Sequence, residues 1–337
     1  MGEEMSDRPN EIEEKIKYLV KEIERHRYLY YNEQPEISDA KYDSLEDELR
    51  DIDAKNPILF KLGVDDSELF TKRDHIIPMT SQDKVTNPQD FIAWARKRNC
   101  KSFIVQFKLD GISIELQYEN GVFKHAVTRG DGNIGDDVSI NVIKMKGFIP
   151  TLNNRFTGAV RAEVMLYHDI FDKKHGDKQN CRNAAAGIVR RKDGVGCGDL
   201  NLIFYDAISI TDDVVFSSEV KKLKWLKDQN FPTIKTKTVQ TPQEVIRVRE
   251  NVIDNIRSTL NYDIDGLVIK GNEIDIEDMK RAKPMKQVAF KFQAEEIETK
   301  LLDVEWSISG QNYTPIAIVE KVWATMSNPI YIATSLM

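Results

Sequence analysis

The sequence predicts an α+β protein, helical at its N-terminus and built thereafter on antiparallel sheets with helices. Three observations point there. Between Glu11 and Tyr31 the apolar residues Ile12, Ile16, Leu19, Val20 and Ile23 recur at helical spacing. From Ser102 to Thr128, alternating runs rich in Phe, Ile and Val are separated by Asp110-Gly111 and Glu119-Asn120-Gly121, the turn chemistry of an antiparallel meander. Further strand-like runs, Asp263 to Lys270 and Val288 to Phe292, each carry a lysine.

A chain of 337 residues has room for two or three domains and a sizeable core. Hydrophobic residues at 41% and charged residues at 31% describe a globular protein, and no apolar run approaches the roughly 18 residues a membrane span needs. The acidic, polar start Met1 to Asp7 does not read as a secretory signal, so a cytoplasmic location is expected, that of the host if the chain is phage-encoded. Cys100, Cys181 and Cys197 are too dispersed for a disulfide framework or a self-contained four-ligand zinc site. A net charge of −7 leaves any contact with nucleic acid to local basic patches.

In chain order, a second helix runs from Asp39 to about Ile52, with Ser38 as N-cap and Asn56-Pro57 as a stop. At the junction of the two helices lie Tyr28, Tyr30, Tyr31, Asp39, Tyr42 and Asp43. These rings either staple the helices or grip an aromatic, hydroxyl-rich ligand. A loop over 62–74 leads to the segment His75 to Ser81, and a helix follows around Pro88 to Arg98.

Lys108 stands where a strand meets the Asp110-Gly111 turn, with Gln106 on the same face two residues earlier. It is either a surface lysine in a hairpin or, if desolvated or crowded by cations, a nucleophile. The meander ends in Thr128-Arg129-Gly130-Asp131-Gly132, which alone says only turn. Val160 to Met165 is a strand carrying Glu163. Asn180 to Lys192, if helical, sets Arg182 and Arg190 about two turns apart on one face, to straddle phosphates or simply to meet solvent. A strand over Leu202 to Ile208 carries Tyr205, and a lysine-rich helix spans roughly Ser217 to Gln229. Lys291, between Phe290 and Phe292, must point away from the face those rings bury.

Lys108-Leu109-Asp110-Gly111, Glu163, Tyr205, Asp265 to Lys270 and Ala289-Phe290-Lys291-Phe292 have the order and spacing of the nucleotidyltransferase motifs of DNA ligases. With the Thr128 to Gly132 loop, the Arg182 to Arg190 segment and the tyrosine-rich helices, the chain resembles NAD-dependent DNA ligases from about Glu11 to Ala294. The resemblance implies a helical module over 1–70 for nicotinamide mononucleotide, a nucleotidyltransferase domain with ATP-grasp-like antiparallel sheets over 71–295, and an incomplete OB-fold over 296–337.

It also implies that Lys108 attacks NAD to form lysyl-AMP, for transfer to the 5′-phosphate of nicked duplex DNA and sealing in repair and replication. Arg129, Arg182, Arg190, Lys270 and Lys291 would contact substrate or phosphate and keep Lys108 partly deprotonated. Glu163 and Asp265 would contact ribose and hold Mg²⁺, and Tyr205 would lie under the adenine. Ser81, Gln106 and Arg257 join the cofactor-binding positions; Tyr30, Asp39, Tyr42 and Asp43 belong to the mononucleotide module.

Several features depart from the pattern. Gln106 stands where glutamate is common, and Tyr31 where histidine is also seen. Val304 to Ile308 and Ile316 to Val319 look like the opening strands of an OB-fold that is not completed, so a second chain supplying the rest is expected. A non-catalytic nucleotide-binding scaffold, or an adenylyltransferase with another acceptor, are the other readings.

Overall fold

The computed structural model describes residues 8–32, 36–37, 39–59, 70–79, 81–281, 283–292, 299–309 and 312–320. The chain divides into two compact units, one of Met1–Tyr30, Gln34–Leu59 and Gln293–Met337, the other of Tyr31–Glu33 and Phe60–Phe292. Among the described residues no helix is long and apolar enough to cross a membrane.

In the first unit, helices α1 (Arg8–Asn32) and α2 (Asp39–Ile52) bury Leu19, Ile23, Leu45 and Leu49 with Ile58 and Leu59. The helical spacing of these residues is what gives each helix one apolar face. Polar bonds fix their pairing: Arg27 reaches the Ile58 carbonyl at 3.1 Å, the Tyr42 hydroxyl at 2.7 Å and Glu46 at 3.1 Å.

The second unit contains two larger sheets. Its strands are β1 (Lys72–Asp74), β2 (Asp83–Val85), β3 (Phe103–Leu109), β4 (Ile112–Glu119), β5 (Val122–Thr128), β6 (Ile134–Asp136), β7 (Gly158–Met165), β8 (Asn201–Ser209), β9 (Thr236–Val239), β10 (Ile264–Gly271) and β11 (Gln287–Lys291). One sheet has the order β5-β4-β7-β8, the other β2-β11-β10-β3-β9, and β1 pairs with β6. In the first unit, β12 (Leu301–Ser309) pairs antiparallel with β13 (Asn312–Val319); these include the strands expected over Val304 to Ile308 and Ile316 to Val319, and residues 321–337 lie outside the described ones.

The helices of the second unit are α3 (Pro88–Arg98), α4 (Ser139–Val142), α5 (His168–Lys174), α6 (Cys181–Val189), α7 (Glu219–Asp228), α8 (Pro242–Asn251) and α9 (Ile276–Met279). Local chemistry sets their ends. Asn87 caps α3, with Pro88 at a position where a missing N–H costs nothing, and Asn99 closes it in the left-handed conformation. Thr241 and Glu244 form a reciprocal capping box on α8, a helix absent from the sequence reading. Between β4 and β5, Asn120 and Gly121 both take positive φ, as the tight antiparallel turn demands.

The alternation of β3 decides what the two sheets share. Phe103, Val105, Phe107 and Leu109 face α3 and α8 in one core with Phe91, Trp94, Val245 and Val252. Ile104, on the opposite face, lies in the core under the four-stranded sheet, while Met165 and Ile203 of that sheet lie in the β3 core. Gln106 and Lys108 therefore face the four-stranded sheet. A buried ion pair braces that sheet: Arg161 bonds Glu115 at 3.2 Å across the β4–β7 register, and Glu115 also accepts from the Ile76 N–H at 2.9 Å.

Candidate active site

Lys108 lies directly opposite Gly266 in the β3–β10 ladder, and Lys291 lies opposite Gly266 in the β10–β11 ladder. Both lysines are thus on one face, separated by a residue without a side chain. A Cβ on Gly266 would sit 2.6 Å from the Phe290 carbonyl oxygen and 2.8 Å from the Lys291 Cα. Regular alternation would send Asp265 to the other face, with Leu267. Instead the register shifts between Ile264 and Gly266, so that Asp265 is an extra residue in β10 and turns toward the lysines. Its Oδ2 accepts from Lys108 Nζ at 2.8 Å and lies 3.9 Å from Lys291 Nζ. Its Oδ1 is buried without a hydrogen-bond partner among the described residues.

Across from this group is Glu163, on a strand buried along its whole length. Ser113, its partner in the β4–β7 register, donates to Glu163 Oε2 at 2.7 Å. Burial pushes the Glu163 carboxyl up to about 7, against the pull of Ser113, Arg182 and Lys108 toward the ionised form. Gly111 is needed here because a Cβ would meet the Val164 carbonyl at 2.4 Å and Glu163 Cγ at 2.8 Å. Tyr205 is the extra residue of a second bulge, opposite Arg161 and Ala162. Burial raises the pKa of its hydroxyl. Gln106 Nε2 donates to the Tyr205 carbonyl at 3.3 Å.

Arg182, in the first turn of α6, pairs with Asp110 at 2.7 Å, and the Asp110 N–H donates to the Asp263 carbonyl at 3.1 Å. The Arg129 N–H donates to the Ser113 carbonyl at 3.2 Å, which places the Thr128 to Gly132 loop beside the Glu163 pair. Arg257 follows a π turn over Val252–Ile256 and stacks on Phe292, 5.1 Å from the ring centre. Ser81 is half-buried just before β2.

Three expectations meet a different arrangement. The ammonium of Lys108 is bonded to the carboxylate of Asp265 rather than ringed by cations. Lys270 is buried and points to Asp206 and Glu219, 3.5 Å from each, in a cluster closed by Lys222. Arg190 is the C-cap residue of α6, directly after its last residue Val189, so the helix is shorter than the expected Asn180 to Lys192. In the N-terminal helices, the Tyr42 hydroxyl donates to Glu46 at 2.9 Å while accepting from Arg27. Asp43 is half-buried. The side chains of Tyr30, Tyr31 and Asp39, and all of Ser38, lie outside the described residues.

Residues 67–295 match the family model of the NAD-dependent DNA ligase adenylation domain, and residues 9–65 that of the DNA ligase-like N-terminal NAD⁺-binding domain. The chain belongs to the NAD-dependent DNA ligase family. It is 50% identical over 325 residues to a DNA ligase of Treponema denticola, covering 92% of this chain and 50% of that protein. To a DNA ligase of Treponema pallidum it is 42% identical, covering 91% of this chain and 39% of the other. A DNA ligase of Sorangium cellulosum is 32% identical, with 91% and 50% covered. The chain thus spans about half the length, or less, of these relatives.

For a member of the NAD-dependent DNA ligase family, the sequence reading found the charged residues but missed those that aim them. Asp110 and Ser113 were legible in principle. Asp110 lies in the quoted motif, and Ser113 falls on the polar side of the alternating run Ile112 to Tyr118. Asp206 directly follows Tyr205, yet nothing in the strand run marks it as the partner of two lysines.

Proposed function

We propose that this chain adenylates itself at Lys108 using NAD. The observation that carries this reading is the convergence of Lys108 and Lys291 on Asp265, beside Glu163, across a glycine that opens the strand surface. Lys108 Nζ attacks the adenylyl phosphorus in line, the P–N bond forms, and the P–O bond to nicotinamide mononucleotide breaks. Asp265 Oδ2, already bonded to Nζ, is placed to take the proton. Lys291 and Arg182 supply positive charge for the oxygens of the transferring phosphoryl group. Tyr205 offers the ring for adenine, and Gln106 an amide that accepts or donates at its edge.

The residues fit a magnesium ion. Asp265 Oδ1 is a buried carboxylate oxygen without a partner among the described residues, and Glu163 is poised to ionise when a cation approaches. Bound there through water, Mg²⁺ would neutralise charge on the phosphates.

In the wider reading, the chain has three parts, 1–70, 71–295 and 296–337. The first serves the mononucleotide through Tyr30, Asp39, Tyr42 and Asp43, and the last is the start of an OB-fold. AMP then passes to the 5′-phosphate of a nick, with Arg182 and Arg190 near the DNA, and the 3′-hydroxyl displaces it. Sealing draws on domains that make up the other half of the relatives' length, on this polypeptide or on a second chain. Intact mass measurement after incubation with NAD and Mg²⁺ tests the first step. One AMP adduct is expected with NAD and none with ATP; no adduct on protein shown to be free of bound AMP would overturn the reading.

A further inference from the structure

His168, Cys181 and Asp263 come from three separate places in the sequence: the start of α5, the start of α6 and the lead-in to β10. One ligand atom from each lies within 4.8 Å of the others. His168 Nε2 is 3.1 Å from Asp263 Oδ1. Cys181 is buried, with its Sγ among these ligand atoms. Asp172 adds a further negative charge felt by both His168 and Cys181.

We propose that His168, Cys181 and Asp263 form a zinc-binding site beside the adenylation centre. One thiolate, one imidazole and one carboxylate, with a fourth position left for water, is a donor set that suits Zn²⁺ and not Mg²⁺, which favours oxygen ligands alone. On binding, the Sγ–H proton passes to solvent and an Sγ–Zn bond forms. The bound ion clips the first turns of α5 and α6 to the residue two before Asp265. It thereby ties down Arg182, which follows Cys181, and Asp110, whose N–H bonds the Asp263 carbonyl. The site does not depend on the adenylation chemistry, because its readout is the metal itself.

Cobalt titration of the full chain, in excess Mg²⁺ to fill oxygen sites, tests this. Wild-type protein is expected to show a near-ultraviolet thiolate-to-cobalt band that zinc abolishes by displacement. Cys181→Ser should lose the band, while Cys100→Ser and Cys197→Ser should keep it. His168→Ala, at a half-buried position, should weaken zinc binding by at least the about 10- to 100-fold that losing even a supporting partner costs, in protein shown by circular dichroism to be folded. Zinc should raise the Tm of the wild type and not that of Cys181→Ser. A folded wild type with no thiolate band, or a band that survives Cys181→Ser, would overturn the proposal.

Discussion

Lys108 and Asp265 meet at 2.8 Å because β10 carries one residue more than its partner strand at that point. The bulge turns a carboxylate that belongs by alternation to the hydrophobic side onto the lysine face. The neighbouring glycine keeps that face open between Lys108 and Lys291. Geometry of this kind makes the site sensitive to changes that leave every charged residue in place.

Gly266→Ala is therefore expected to damage the site without removing any functional group. The added methyl meets backbone on the adjacent strand at 2.6 Å, and backbone cannot rotate away. Overpacking of this sort costs about 1–3 kcal/mol. Urea unfolding should show that loss, and self-adenylation should fall by more than the loss of folded protein explains.

The Glu163 carboxyl should make apo stability depend on pH. Its folded pKa, about 7, lies above its ordinary value of 4.5, so the stabilisation is full below about pH 4.5 and is lost as pH rises through 7. Glu163→Gln stays neutral and can still accept from Ser113. At pH 8 it should be more stable than the wild type by on the order of 3 kcal/mol, with little difference at pH 5. Mg²⁺ should narrow the gap by favouring the ionised wild-type carboxylate. Equal pH profiles for the two proteins would contradict the assignment.

The strand pattern made much of this site readable in advance. The alternation of β3 put Gln106 and Lys108 on one face, and Phe290 and Phe292 sent Lys291 to its own. The helices Asp39–Ile52 and Pro88–Arg98 were marked by stops, caps and proline. What escaped was non-local. A bulge depends on which strand pairs with which, and the direction of Lys270 depends on α7 delivering Glu219 and Lys222 beneath it. Helix α8 had its capping box in plain sight, Thr241-Pro242-Gln243-Glu244, but few of its residues are buried, so the apolar pattern was faint.

The Asp206 cluster should be the costliest charge to break. Asp206 is buried and bonds Lys222 at 2.6 Å, with Lys270 at 3.5 Å; the two lysines hold its carboxyl well below the usual range. Asp206→Asn leaves Lys222 and Lys270 with Glu219 as their shared carboxylate, and breaking a buried pair in this way costs about 3–5 kcal/mol. Chemical denaturation would read this directly, and a loss below about 1 kcal/mol would show the cluster to be solvated.

In the helical module, Tyr42 and Asp43 should separate. Tyr42→Phe removes a hydroxyl that both donates to Glu46 and accepts from Arg27, so stability should fall by about 1–3 kcal/mol. Asp43→Ala should slow self-adenylation by more than any loss of folded protein explains, while sparing the sealing of a pre-adenylated nick when the remaining domains are supplied. Equal losses in both steps would assign Asp43 to packing.

The most direct test of the adenylation account is release of nicotinamide mononucleotide in a single turnover, followed with wild type and Lys108→Arg. Arginine keeps the positive charge opposite Asp265 but cannot lose a proton to become a nucleophile. The account predicts stoichiometric release from wild-type protein, with AMP recovered on the peptide containing Lys108, and no release from the variant. Release by Lys108→Arg at the wild-type rate, or AMP found on another residue, would contradict it.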